Sequence, residues 1–506
     1  MKQLALAAAI VAGGIFTTAL PLHAHGGMYR GPGDTVPPGG GGSGAGPGGP
    51  AGPTNPGGTN PGTPTPGVPG PGRGGAPGQS GSPVSGPGSE VGDLTQWSFW
   101  WEFNKDPYLQ LKRAIHEGHA VTGSDSWFLG NGEKDQARES SRPSEQQIRQ
   151  LVVPALRGAL AKESDNDIVT GCLIALAKIG DAPGETGVSE FEPVLRAFLA
   201  SKNQEISETA AIALGILAHE KSIDTLAALI ADSSAARGWV GQPEVPYRTR
   251  AFAAYGLGLV GAKVARESER QRIVALLHGV LRSDQSRTRD LKVACVLAMG
   301  MVPLEVATGE ERETKDVLAL APRTRGAELD YLLALLRDES QEDLLRAHCP
   351  RSLARLCNAD LPVELQELYR ERIGNALLDT LASKVPDVLL QSCTLALGQV
   401  GTNDLANPLD RRILETLVAP PKGLGDQQAR RFALIALAQV GARTASSAQD
   451  AEGGIDLAAK ALLAQLSGGK SGLPSWAGLA CGVLGNGLRT SAPHSAKIAA
   501  LQTAVR

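Results

Sequence analysis

Residues 396–401 read ALGQVG, and the same core with one change, ALAQVG, stands at residues 436–441. Related cores are ALAKIG ending at Gly180, ALGILA at Ala218, GLGLVG at Gly261, LAMGMVP at Pro303 and ACGVLG at Gly485. Aligned, they place Ala177, Gly215, Gly258, Gly300, Gly398, Ala438 and Gly482 in one column, at spacings of 38, 43, 42, 98, 40 and 44 residues. Self-similarity at such a period marks a repeat architecture, and the long gap reads as two units of roughly 49 residues with one degenerate copy inside.

The neighbouring columns have physical content. Two residues before the small position stand Ala175, Ala213, Gly256, Ala298, Ala396, Ala436 and Ala480; two after it come Ile179, Leu217, Val260, Val302, Val400, Val440 and Leu484. Apolar residues crowd most of the helix circumference, as a helix with neighbours on both sides requires. Small residues in fixed columns let adjacent backbones approach, and the Gly or Pro three residues on is expected to end the helix. Between the cores lie amphipathic segments such as QQIRQLVVPALRGALA at 146–161, SIDTLAALIA at 222–231 and DRRILETLVA at 410–419. Each unit is thus a pair of antiparallel helices, and from Pro143 onward no strand-like alternation of useful length appears. The expected fold is all-α: an α-solenoid of about eight helical hairpins over residues 143–506.

The helix pairs, the A-L-G core and the basic residues ahead of it resemble HEAT repeats, particularly the short bacterial form also found in phycobilin (PBS) lyases. Those basic residues are Arg248 and Arg250 before AAYGLGLVG, and Arg430 and Arg431 before ALIALAQVG. The block WSFWWEFNKDPYLQLK at 97–112, behind an export signal and a Gly/Pro tether, is similar to secreted bacterial HEAT-repeat proteins of unassigned activity. The resemblance implies a scaffold or binding surface, by analogy of fold.

Upstream of the repeats the composition changes. Residues 1–24 carry Lys2, an apolar run from Leu4 to about Leu20 and a small-residue site near Ala24, the pattern of a cleaved secretory signal peptide. The run is short for a membrane anchor and diluted by Ala, Gly and Thr, so no membrane span is expected in the mature chain. Residues 25–92 form a Gly/Pro-rich linker; from Gly31 to Glu90 there are 23 Gly and 15 Pro, too little apolar surface to offset chain entropy, so disorder is expected. The run GPG-GPA-GPT from Gly46 to Thr54 has the collagen period but loses it at Asn55.

Residues 93–142 are then expected to form an aromatic-rich N-terminal cap. Trp97, Phe99, Trp100, Trp101 and Phe103 put five rings into seven residues of a chain that is 4% aromatic. Asp106-Pro107 suggests a helix start with Asp as cap, placing Tyr108, Leu111 and Ile115 on one face. The same alternation of rings would also suit a short strand. A solenoid needs its apolar ends covered, and this block sits just ahead of the first repeats. The rival reading makes Trp97, Phe99, Trp100, Trp101, Phe103 and Tyr108 an exposed platform for a ligand or partner.

No catalytic constellation emerges. Cys172, Cys295 and Cys393 stand five residues before the small column, where other copies have Ala, so cysteine is a packing residue there, although disulfides between successive repeats stay open. GLGLVG matches a dinucleotide fingerprint by letter but lacks the preceding strand, and GGKS at 468–471 lacks the first glycine of a phosphate loop. His116-Glu117-Gly118-His119 is one residue short of the zinc-protease spacing, and Asp165-Asn166-Asp167 reads as a helix cap. Net charge is −3 with no long basic stripe, which argues against nucleic acid. No cofactor or metal is expected. The reading is a non-catalytic exported scaffold that binds another protein; the alternative is a lyase-like HEAT enzyme, or a protein binding cell-envelope glycan through the aromatic block.

Overall fold

The computed structural model describes residues 95–110, 143–181, 187–283, 288–307, 316–357, 361–419, 425–467, 472–489 and 494–505. The expected export signal and tether, His116 to His119, the GGKS stretch and residues 111–142 of the expected cap lie outside them. All regular structure among the described residues is helical. The aromatic block supplies α1 (Trp97–Asn104) and the single turn α2 (Asp106–Leu109). Paired helices follow: α3 (Val153–Lys162) with α4 (Asn166–Ile179), and α5 (Glu192–Ala197) with α6 (Gln204–Leu217). Next, α7 (Ser222–Ile230) and the short extra α8 (Ser234–Val240) accompany α9 (Tyr247–Gly261), and α10 (Glu267–Arg282) pairs with α11 (Arg289–Met299). The last four pairs are α12 (Arg325–Arg337) with α13 (Asp343–Leu356), α14 (Val363–Ala382) with α15 (Asp387–Val400), α16 (Pro408–Val418) with α17 (Gln427–Ala442), and α18 (Ala451–Leu466) with α19 (Leu473–Leu488). α20 (Ser495–Val505) packs on α18 and α19. The second helix of each pair packs on the second helix of the next, giving an inner layer. This is a HEAT-like α-solenoid, with eight hairpins among the described residues.

The small column sets how closely inner helices approach. A Cβ on Gly215 would stand 2.4 Å from the Cα of Gly256; on Gly258 or Gly398 it would stand 2.7 Å from the Cα of Ala298 or Ala436. Each of these three glycines therefore faces the residue two before the column in the next copy, at a distance that leaves no room for a Cβ. Gly300 identifies the degenerate copy by the same rule, since its Cβ would meet Ser352 at 2.5 Å. The column residue of α13 is then Ala354, 54 residues after Gly300 and 44 before Gly398, not the even division expected. Leu353, Leu356 and Cys349 occupy the matching apolar and small columns and are buried. Cys357 replaces the helix-ending glycine, and Pro350 lies inside α13.

The glycine three after the column is not a uniform stop. Gly180, at φ 74°, and Gly401 end their helices, whereas Gly261 and Gly441 are helical and α19 runs past Gly485 to Leu488. Packing explains two of these: a Cβ on Gly261 would lie 2.7 Å from Val302, and one on Gly441 would lie 2.7 Å from the Cβ of Ala458. All six cysteines are free thiols; Cys172, Cys295, Cys349 and Cys393 share the buried small column, and burial pushes the Cys393 thiol up to about 12.

Polar groups fix the register between repeats. Arg248 on α9 grips Glu208 on α6 through two bonds of 2.7 and 2.9 Å, both side chains buried. Arg370 on α14 does the same to the fully buried Asp410 on α16, at 2.6 and 2.9 Å, while Thr402 donates its N–H and hydroxyl to that carboxylate. Arg250 and Arg346 donate to Ile230 O and Leu336 O, the last-turn carbonyls of the outer helices of their own hairpins, where cations suit the helix dipole. Asp165 accepts from the N–H groups of Asp167 and Ile168 as a helix cap. Asp106, by contrast, lies inside the first turn of α2, and Lys105 holds the cap position without a side-chain bond.

Glu328 on α12 is an exception to this satisfaction. It is wholly buried, neither carboxylate oxygen has a hydrogen-bond partner among the described residues, and burial pushes its carboxyl well above the ordinary range, Arg325 opposing and Glu267 adding to the rise.

Gly398→Ala and Gly258→Ala should each destabilise the protein by about 1–3 kcal/mol, the usual effect of overpacking. Gly482→Ala, whose Cβ would meet nothing within 4 Å, should be neutral or stabilising by up to about 1 kcal/mol through helix propensity; thermal melts distinguish the three. Because Glu328 holds its proton in the folded state at a pH where the unfolded chain has released it, this group's contribution falls as pH rises above its ordinary value of 4.5. Relative to Glu328→Gln, the wild type should lose up to about 1.4 kcal/mol per pH unit above that point, measurable by chemical unfolding between acidic and neutral pH.

Candidate functional site

The aromatic block does not sit on the first repeats. It lies on the inner helices of the last two, α17 and α19. α1 is helical rather than extended, its end closed by Asn104 Nδ2 donating to Trp100 O at 2.7 Å. α2 ends at Gln110, which adopts the left-handed φ of 45° and donates its N–H to Asp106 O. Trp100 is 5% exposed, its ring 6.4 Å from that of Trp476 on α19 and 6.4 Å from that of Tyr108. Trp476 in turn meets Phe432 of α17 edge-on at 5.9 Å, and Trp101 stacks on Tyr108 at 6.0 Å. Five rings thus converge, in the tilted and edge-on geometries that ring quadrupoles favour.

Two polar pins hold the segment. Arg431 Nη1 donates to the hydroxyl and carbonyl of Thr95, at 2.9 and 3.3 Å, and to Gln428 Oε1 at 3.0 Å. Gln439 Nε2 donates to the Tyr108 hydroxyl at 2.8 Å. Burial pushes the Tyr108 phenol up, opposed by the Gln439 bond and by the charge of Arg443, so it stays protonated and neutral at physiological pH.

Of the six platform residues, the structure brings Trp100, Trp101 and Tyr108 together. Trp100 is closed to solvent; Phe99 and Phe103 are half-buried on α1, and Trp97 at 40% is the exposed ring. Their partners Phe432, Trp476 and Gln439 were not singled out as site residues in the sequence. A signal existed: six residues before the small column, Phe432 and Trp476 place bulky rings in two consecutive inner helices, where the neighbouring copies carry His348 and Ser392. Arg431 was visible only as one of the basic residues ahead of a core.

Among the described residues no three His, Cys, Asp or Glu side chains gather to hold a metal, and no helix is long and apolar enough to cross a membrane. His116, Glu117 and His119 lie outside those residues.

No known protein family matches the sequence, and no curated protein matches it. Solved structures are similar in fold. Kap121p bound to Pho4p is 14% identical with a TM-score of 0.38, the match covering 72% of this chain and 37% of that one. Human deoxyhypusine hydroxylase in complex with glycerol is 17% identical with a TM-score of 0.25, covering 67% of this chain and 96% of that one. An engineered protein is 17% identical with a TM-score of 0.28, covering 68% and 92%. The chain therefore spans little more than a third of Kap121p.

Trp100→Ala should release the segment, since truncating a buried Trp removes about 3–5 kcal/mol. Limited proteolysis should then cut between residues 95 and 110 far faster while the repeats stay intact. Tyr108→Phe loses one hydrogen bond, about 0.5–1.5 kcal/mol, and should raise the cutting rate by a smaller factor.

Proposed function

We propose that this chain is a non-catalytic exported scaffold of the short bacterial HEAT kind, which binds segments of other proteins along its inner helices. The supporting observation is the seating of residues 95–110 on α17 and α19. A peptide of this chain is held there by a buried ring and by side-chain bonds to Thr95 and Tyr108. Helix-in-groove recognition works by the same means, a few apolar anchors with polar contacts at the edge. The layer architecture supplies the setting: the inner helices stack on one another along the repeats, and in such arrays stacked repeats create extended binding surfaces. Export rests on residues 1–24, and the Gly/Pro-rich stretch after them would serve as a tether between the export signal and the folded body.

Photo-crosslinking amino acids placed at Gln428, Arg431 or Gln439 should yield discrete protein adducts when the chain is incubated with an envelope fraction, and Trp476→Ala should remove them. Crosslinkers at Leu151 and Val188, which are exposed, serve as controls. Equal labelling at inner and control positions, or adducts containing glycan without protein, would overturn the assignment.

A further inference from the structure

Building on the reading of this face as a segment-binding surface, we propose that residues 95–110 are a resident occupant of the site on α17 and α19, displaced by a partner segment that joins an aromatic anchor to an acidic side chain. The aromatic requirement is read from the occupant. Trp100 fills a space walled by Trp476, with Phe432 behind it, and no small side chain would occupy that volume.

The acidic requirement comes from what the occupant leaves undone. Arg431 uses Nη1 on Thr95 and Gln428, but its buried Nε meets no acceptor among the described residues. Gln428, itself 4% exposed, has a buried Nε2 that also meets none among them. Two buried donors one helical turn apart on α17 thus belong to the pair of side chains whose contact with the segment is to the neutral oxygens of Thr95. A carboxylate at that point has several acceptor positions and forms the stronger, charge-assisted bonds with a guanidinium. Asp426, at the start of α17, is already engaged by Ala429 N and Gln391 Nε2. Arg443 places a second positive charge toward Tyr108. The occupant's own Glu102 is paired with Lys105 at 2.5 Å on an exposed part of the segment. The resident segment therefore fits by shape and falls short in charge, which is what a displaceable occupant requires: bound well enough to cover the rings, and outcompeted by a better match.

The test uses the purified full chain, the same chain carrying Trp100→Ala and Tyr108→Ala, and two labelled peptides read by fluorescence anisotropy. One peptide has the sequence of residues 93–110; the other carries Thr95→Asp. The doubly substituted chain should bind the Asp peptide at least about tenfold tighter than the intact chain does, and about tenfold tighter than it binds the unsubstituted peptide. Arg431→Gln should erase that preference. Equal affinity of the intact and substituted chains would overturn the resident-occupant idea while leaving the face a binding surface. Preference for the unsubstituted peptide would overturn the acidic partner and point to a second copy of this chain. Failure of either peptide to bind a substituted chain that melts like the wild type would sink this proposal together with the reading it rests on.

Discussion

The distance between consecutive inner helices governs this structure. Gly215 against Gly256, Gly258 against Ala298, Gly300 against Ser352 and Gly398 against Ala436 are backbone-to-backbone contacts, each leaving no room for one added carbon. Because interiors are close-packed, such contacts set the spacing of everything around them. The outer helices fall where their apolar stripes can reach the inner layer. Arginines such as Arg250 and Arg346 then fasten the carbonyl ends of the outer helices to the inner ones, and buried ion pairs such as Arg370 with Asp410 bind one repeat to the next. A buried pair of this kind contributes more to register than to net stability, since the desolvation of both ions offsets much of their attraction.

Much of this was legible from sequence because the constraint repeats. A glycine or alanine returning at one position, flanked by the same Leu and Val columns, is informative even where each copy is weak. The degenerate copy escaped for local reasons. Its column carries Ala354, its stop is Cys357, a proline interrupts its helix, and an insertion between Pro303 and Thr324 lengthens the spacing. The neighbouring columns, Leu353 and Leu356, were intact but unanchored. The expected role of the third-following glycine erred because two pressures select the same residue: helix termination, seen at Gly180, and tight lateral packing, seen at Gly261.

The aromatic block was harder. Its tendency to bury rings follows from composition, but its helicity, with a short strand equally suited to the alternating rings, and its address do not. Repeats are nearly equivalent surfaces, and proximity in sequence favoured the first of them. What distinguishes the last two is a pair of rings, Phe432 and Trp476, with Arg431 and Gln439 beside them. That specificity belongs to two elements hundreds of residues apart, and one sequence read alone does not pair them. Asp106 shows a milder form of the same limit, since Asp-Pro marks the start of a turn without saying which residue will cap it.

The seat of Tyr108 lies 331 residues further along the chain, at Gln439, and this has a consequence for biogenesis. Stacked hairpins can form in order as they are synthesised, each one on its predecessor. The aromatic helix cannot, because it is made before any of them and its partners are made last. At a synthesis rate of about 5–20 residues per second, some of the most apolar surface in the chain waits on the order of 20 to 60 seconds for its destination to exist. During that interval its rings need protection, as a chaperone would give, and nascent-chain aggregation is the hazard inherent in tying the first-made helix to the last-made repeats.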